Sequence, residues 1–142
     1  MKIPITQIPP GGMVQQERFS ARDIDVETDQ IGFVDSIAVR AEVTRITNAV
    51  TVGFTIESRL KFNCSRCLEE CTVPLHMQAQ VSYPVSAGDQ VLDIGPDIRE
   101  EIMLGYPVQV LCDPQCKGLC PRCGENLNKG GCHCATTKEK TF

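Results

Sequence analysis

The feature that most constrains this chain is a two-residue alternation through its middle. Val50, Val52, Phe54, Ile56, Leu60 and Phe62 share one parity, with Ser58 their polar exception, while Thr51, Thr55, Glu57, Arg59 and Lys61 hold the other. A period of two belongs to extended chain, in which successive side chains point to opposite faces, so the segment predicts a long, half-buried strand. Ile37, Val39, Ala41 and Val43 alternate before it, and Asn48 sits where a hairpin would turn. Val73, Leu75, Met77, Ala79, Val81, Tyr83 and Val85 alternate after it. Three antiparallel strands joined as a meander are the expected result.

Met1 to Ile5 adds a candidate edge strand, whereas Ser20 to Gln30 is too polar and charged to predict an element. Residues 86–92 read as a loop. Pro96 then suits a first helical position, with Asp97, Glu100 and Glu101 placing negative charge near the positive end of the helix dipole. Ile98 and Ile102 lie one turn apart on one face, and Gly105 with Pro107 ends the segment, predicting a short helix over 96–104. The expected fold class is α+β: mainly an antiparallel β meander, barrel-like, with a short helix and a cysteine-rich, zinc-binding C-terminal tail. The expected division is 1–111 for the β domain with its helix and 112–142 for the tail packed on it.

The tail is set apart by what it lacks. From Cys112 onward apolar periodicity stops and Gly118, Gly124, Gly130 and Gly131 recur, so it cannot bury a core of its own. It does carry Cys112, Cys116, Cys120, Cys123, Cys132 and Cys134. Structural Zn²⁺ contributes on the order of 10–16 kcal/mol of folding free energy to small fingers, enough to order such a segment. Cys120-Pro121-Arg122-Cys123-Gly124 is the strongest pair, because a C-x-x-C curls two thiolates around one cation and the glycine admits the tight turn. Cys64-Ser65-Arg66-Cys67 is a second such pair at a hairpin tip, with Leu68 in place of the glycine.

Two arrangements are open. In one, a zinc takes Cys120, Cys123, Cys132 and Cys134 while another takes Cys64 and Cys67 with Cys112 and Cys116, filling two closed tetrahedral sites. In the other, a single zinc draws its ligands from the six tail cysteines and the hairpin pair is free. Cys132 and Cys134, two apart, point to opposite sides of an extended chain unless the Gly130-Gly131 turn redirects them. Cys71 reads as a core thiol, His133 as a bystander and His76 as solvent-facing.

Composition narrows the function. The nine cysteines follow no charged start and apolar run, so they read as reduced thiols in a cytoplasmic protein and not as a disulfide framework. No stretch approaches membrane-spanning length. The formal charge is −4, and there are no Trp, two Tyr and five Phe, which argues against a broad phosphate-binding face and against base stacking. No serine, histidine and acid stand at a catalytic spacing, no glycine-rich phosphate loop follows a strand, and four-sulfur zinc sites leave no position for water. The chain is therefore expected not to be an enzyme, to have no catalytic residues, and to take no small-molecule substrate.

Several segments together resemble the YceD-like family. Phe62-Asn63-Cys64-Ser65-Arg66-Cys67-Leu68-Glu69 is similar to its "CxRCLE" signature, Leu92-Asp93-Ile94 to its "IDL" segment, and Glu100 to Pro107 to its "EEllLxLP" helix end. Leu111 to Gly124 resembles "LCxxxCkGLCPxCG", and Asn126-Leu127-Asn128 with Cys132-His133-Cys134 completes the pattern over residues 33–134. Gly105-Tyr106 departs from it, replacing a leucine-rich stretch. The family is bacterial with plastid relatives and is named for accumulation of large-subunit ribosomal RNA. The resemblance implies a cytoplasmic, non-catalytic ribosome-biogenesis factor whose partner is a ribosomal protein, an assembly factor or precursor rRNA. Arg66, Lys117, Arg122 and Lys129 are candidates for its recognition surface. A thiol redox switch or a zinc-stabilised protein-binding module is the competing expectation.

Overall fold

The computed structural model describes residues 1–134. In chain order the elements are β1 (Lys2–Pro4), a 3-10 turn (Ile5–Gln7), β2 (Met13–Phe19), β3 (Ile31–Phe33), β4 (Ile37–Ile46), β5 (Ala49–Asn63), β6 (Glu70–Pro84), β7 (Val91–Asp93) and α1 (Gly95–Leu104). The meander β4-β5-β6 follows the alternation, and β5 alternates along its length as expected, with Val50, Val52, Phe54, Ile56, Leu60 and Phe62 buried. β5 lies at the centre of a five-stranded antiparallel sheet. β6 runs along one side of it for fifteen residues, while β4 and then β3 lie end to end along the other and β2 flanks β4.

The barrel-like expectation is corrected: the sheet is open. Closure would require β2 to pair with β6, and they do not. The inner face is covered instead by a second layer, made of the two-stranded β1–β7 sheet and α1. Ile3, Ile5, Ile94, Ile98 and Ile102 project from this layer and are at most 2 % exposed against the buried face of β4 and β5. Burying each such side chain contributes about 1.5–3 kcal/mol before the entropy of ordering it. The Ile94 N–H donates to the Met1 carbonyl and the Ile5 N–H to the Gln90 carbonyl, which pins the N-terminal strand beside β7. Val91 and Leu92, read as the end of a loop, therefore belong to a strand that runs to Asp93.

The helix ends at Leu104, beside Gly105, as expected. Gly105 packs against the thioether end of Met77 on β6, which stands within 2.5 Å of where a Cβ would sit and would have to swing aside for a larger residue. The Tyr106 hydroxyl donates to the Val26 carbonyl, and its ring tilts against Phe33 with centroids 6.4 Å apart. Arg99 reaches the same segment through the Asp25 carbonyl and carboxylate, both at 3.1 Å. The polar stretch 20–30 is thus tied down through buried Ala21 and Val26, not through periodicity.

Candidate metal centres

The β5–β6 hairpin ends in a six-residue tip that carries Cys64 and Cys67. Its backbone is fixed by two hydrogen bonds, Cys64 N–H to the Glu69 carbonyl at 2.8 Å and Leu68 N–H to the Cys64 carbonyl at 2.9 Å. The tail repeats this loop: Cys120 N–H donates to the Glu125 carbonyl at 2.8 Å, and Gly124 N–H to the Cys120 carbonyl at 2.9 Å. The fourth residue after the first cysteine takes the left-handed conformation in both, with φ +60° at Leu68 and +75° at Gly124. Glycine adopts it freely, whereas leucine is strained by about 1 kcal/mol. Leu68 is nonetheless 65 % exposed, so no local packing offsets that strain.

The tail closes onto the hairpin tip. Ser65 N–H donates to the Val110 carbonyl at 2.8 Å, and Arg66 Nη1 to the Cys116 carbonyl at 3.0 Å. Gly118, at φ +76°, passes so close that a Cβ there would lie 3.2 Å from the Arg66 carbonyl oxygen. Lys129 pairs with Glu69 at 2.5 Å. Two of the four candidate recognition cations, Arg66 and Lys129, are thus engaged in holding tail to tip.

These contacts bring the cysteines into two groups of four, Cys64, Cys67, Cys112 and Cys116, then Cys120, Cys123, Cys132 and Cys134, each with its sulfurs within 4.8 Å of one another. Sγ–Sγ separations are 3.8 Å for Cys64–Cys116, 3.6 Å for Cys67–Cys112 and 3.4 Å for Cys120–Cys132. Four sulfurs at about 2.3 Å from a tetrahedral Zn²⁺ stand roughly 3.8 Å apart, so the spacing fits that ion and is far too long for disulfides. Gly130, at φ +152°, and the turn at 133–134 break the extended geometry that would have separated Cys132 from Cys134.

The electrostatics suit thiolates. The Cys67 N–H, followed by those of Cys112 and Arg66, holds the Cys64 thiol down to about 6. The Cys123 and Arg122 N–H groups likewise hold Cys120 at about 6. The Asn128 amide donates to the Cys116 sulfur at 3.1 Å and lowers that thiol too. Conversely, the hydrogen bond with Cys116 raises Cys112, and that with Cys123 pushes Cys134 up to about 11, because several anionic sulfurs cannot share one small volume without a cation. A divalent ion bound there would relieve that repulsion.

Asn128 is a neighbour of the first cysteine group that cysteine spacing misses. Its amide touches Cys116, its carbonyl oxygen accepts the Lys117 N–H at 2.9 Å, and Asn126 holds its own N–H at 2.9 Å. Cys71 is half-buried beside the first group, its Sγ 3.2 Å from the Glu69 carbonyl, and burial raises its thiol. His133 projects into solvent at 96 % exposure, and His76 is exposed beside Glu57. A depression of about 750 Å³ lies on the outer sheet face among Gln16, Arg18, Arg40, Thr55 and Glu57. No helix of the described residues is long and apolar enough to cross a membrane.

An open antiparallel sheet backed by a short helix, with paired cysteine knuckles clasping its central hairpin, defines a small β protein with two candidate structural metal centres. The chain belongs to the family described as large ribosomal RNA subunit accumulation protein YceD, which matches residues 52–142. It is 44 % identical over 43 residues to the Arabidopsis thaliana large ribosomal RNA subunit accumulation protein YCED homolog 1, chloroplastic, covering 30 % of this chain and 13 % of that protein. The Zea mays protein of the same description is 45 % identical over 49 residues, 34 % of this chain and 17 % of its own length. The uncharacterised protein YlbN of Bacillus subtilis is 23 % identical over 133 residues, 84 % of this chain and 77 % of that one. The chain thus spans less than a fifth of the two plant relatives. No solved structure matches it.

Proposed function

We propose that this chain is a non-catalytic factor of ribosome biogenesis, in the bacterial cytoplasm, that supports accumulation or processing of large-subunit ribosomal RNA. The family description and the names of the plant relatives support this reading. In it, Zn²⁺ is structural. Cys64, Cys67, Cys112 and Cys116 hold one ion and Cys120, Cys123, Cys132 and Cys134 hold another, the carrying observation being that each set of four sulfurs lies within 4.8 Å. Residues 1–111 then form the β domain, and the tail from 112 is a metal-ordered unit packed on its hairpin tip. Its partner is a ribosomal protein, an assembly factor or precursor rRNA.

The net charge of −4 favours a basic protein surface over bare RNA as the direct partner. Deleting the gene should lower large-subunit rRNA relative to small-subunit rRNA, and re-expression should restore the ratio. An unchanged ratio under conditions of rapid growth would sink the proposal.

A further inference from the structure

β6 is a fifteen-residue strand that, among the described residues, is bonded along one side only. The direction of its backbone groups follows from the ladder, which runs without a bulge from Ala49↔Pro84 to Asn63↔Glu70. At the tip Glu69 accepts from Cys64, and at the far end Val85 donates to Asn48. Odd-numbered positions of β6 therefore bond to β5, and even-numbered positions turn their N–H and C=O groups to the free edge. Pro74 and Pro84 obey that parity, since a proline can sit only where no ladder N–H is needed. Between them His76, Gln78, Gln80 and Ser82 present outward N–H and C=O pairs, and among the described residues no backbone group meets them.

Edge strands are normally guarded by charge. The opposite edge, β2, carries Glu17 and Arg18, but Leu75 to Tyr83 contains no Lys, Arg, Asp or Glu. The two prolines are also placed symmetrically about Ala79. We propose that this edge is a self-pairing interface, on which a second copy of the chain adds its β6 antiparallel about a two-fold axis through Ala79.

That register satisfies every outward group in the window. His76 faces Ser82 of the second copy and Gln78 faces Gln80, each as a hydrogen-bonded pair, and the same pairs recur across the axis. Pro74 falls opposite Pro84, so neither proline confronts a donor that needs it. Ala79 meets its own copy in a non-hydrogen-bonded pair, where Cα atoms approach to about 4.5 Å and a small side chain fits best. Gln78 and Gln80 can exchange side-chain amide bonds, and no like charges meet. On the inner side, half-buried Met77 faces Val81 of the second copy. Gly105 packs against Met77, and the adjoining Met103 and Leu104 are 40 % and 72 % exposed. A generic partner strand would need none of this two-fold symmetry, which is why a second copy is the occupant.

Sedimentation of the full zinc-loaded chain at about 100 µM should give a particle of twice 15.6 kDa. Gln78→Pro places its ring where an outward N–H stands, as Pro74 already does, so the β5–β6 ladder survives while dimerisation weakens at least about tenfold. Gln78→Ala keeps the backbone donor and should remain dimeric. Amide exchange on the unmodified chain gives a second reading if the proline variant fails to fold. In the dimer the amides of His76, Gln78, Gln80 and Ser82 should be as protected as those of Met77, Ala79 and Val81. A monomer at that concentration, a dimer in which odd positions are slow and even ones fast, or a folded Gln78→Pro protein that dimerises normally would each overturn the proposal. So would a monomer whose edge amides become protected only when a different protein binds.

Discussion

The sulfurs of Cys64 and Cys116 lie 3.8 Å apart although 52 residues separate them in the chain. One belongs to the tip of the longest hairpin and the other to a segment with no core of its own. An ion held there would fasten the two together, closing a long loop that is entropically costly to close without it. An ion in the second group of cysteines would close only a short loop within the tail.

Metal content separates the two-site arrangement from the tail-only one. Elemental analysis should find two zinc ions in the unmodified chain, one in the Cys64→Ser, Cys67→Ser double variant, and one in the Cys120→Ser, Cys123→Ser variant. The hairpin variant should also lose protection of the Ser65 amide, which donates to Val110 across the tip. A hairpin variant with undiminished zinc would show that the tail alone holds the metal.

Leu68 should improve on replacement. It sits at φ +60° where the second knuckle has Gly124, and it is 65 % exposed. Leu68→Gly relieves about 1 kcal/mol of backbone strain, partly offset by the freedom glycine gains in the unfolded chain. The thermal midpoint should stay level or rise by a few degrees, with zinc content unchanged. A clear drop would mean that the leucine side chain packs on something the conformation does not explain.

Gly12 carries the opposite expectation. Its φ is +81°, and a Cβ there would stand 2.8 Å from the Val43 carbonyl oxygen, a backbone atom that cannot step aside cheaply. Gly12→Ala should destabilise the protein by about 2 kcal/mol, read by urea denaturation, and should loosen β2 before the meander.

Ile102 tests the second layer. It is fully buried beneath the sheet. Ile102→Ala should cost about 3 kcal/mol, as large-to-small core changes do, whereas Leu104→Ala on the exposed side of the same helix should cost little. Equal effects at the two positions would contradict the packing described.

Alkaline titration addresses the two tyrosines. Burial, and after it donation to Asp97 at 2.7 Å, raises the Tyr83 phenol well above its ordinary range. Burial, and then the charge of Glu27, lifts Tyr106 to about 12. An acid whose folded pKa exceeds its unfolded value of about 10 stabilises the fold fully below that pH. The contribution is lost as pH rises from there towards about 12. Ultraviolet difference spectra should therefore show almost no tyrosinate near pH 10, then cooperative unfolding as both phenols ionise. Ordinary titration of both groups without unfolding would disprove the burial.

The sequence alone reveals the strands with strict parity and enough length. β5 buries the residues that its alternation names, Asn48 lies in the expected turn, and the helix begins one residue before Pro96. β2 was hidden because Gln15, Gln16, Glu17 and Arg18 flatten its alternation, and β3 and β7 are three residues each, too short for periodicity to register. Val26 lies in the stretch too polar and charged to predict an element, yet it is 1 % exposed because Arg99 and Tyr106 draw its segment under the helix end.

The amino-acid order by itself determined that a half-buried antiparallel meander forms here and that the cysteine-rich tail carries no apolar periodicity, because side-chain period and the absence of apolar repeats are local properties. Only tertiary structure decided which four cysteines meet, that Asn128 backs one of them, and that the sheet stays open. Those outcomes depend on where the chain returns after long excursions. The Gly118 passage across Arg66 and the β1–β7 layer across the inner face set that return, and neither leaves a periodic trace in the sequence.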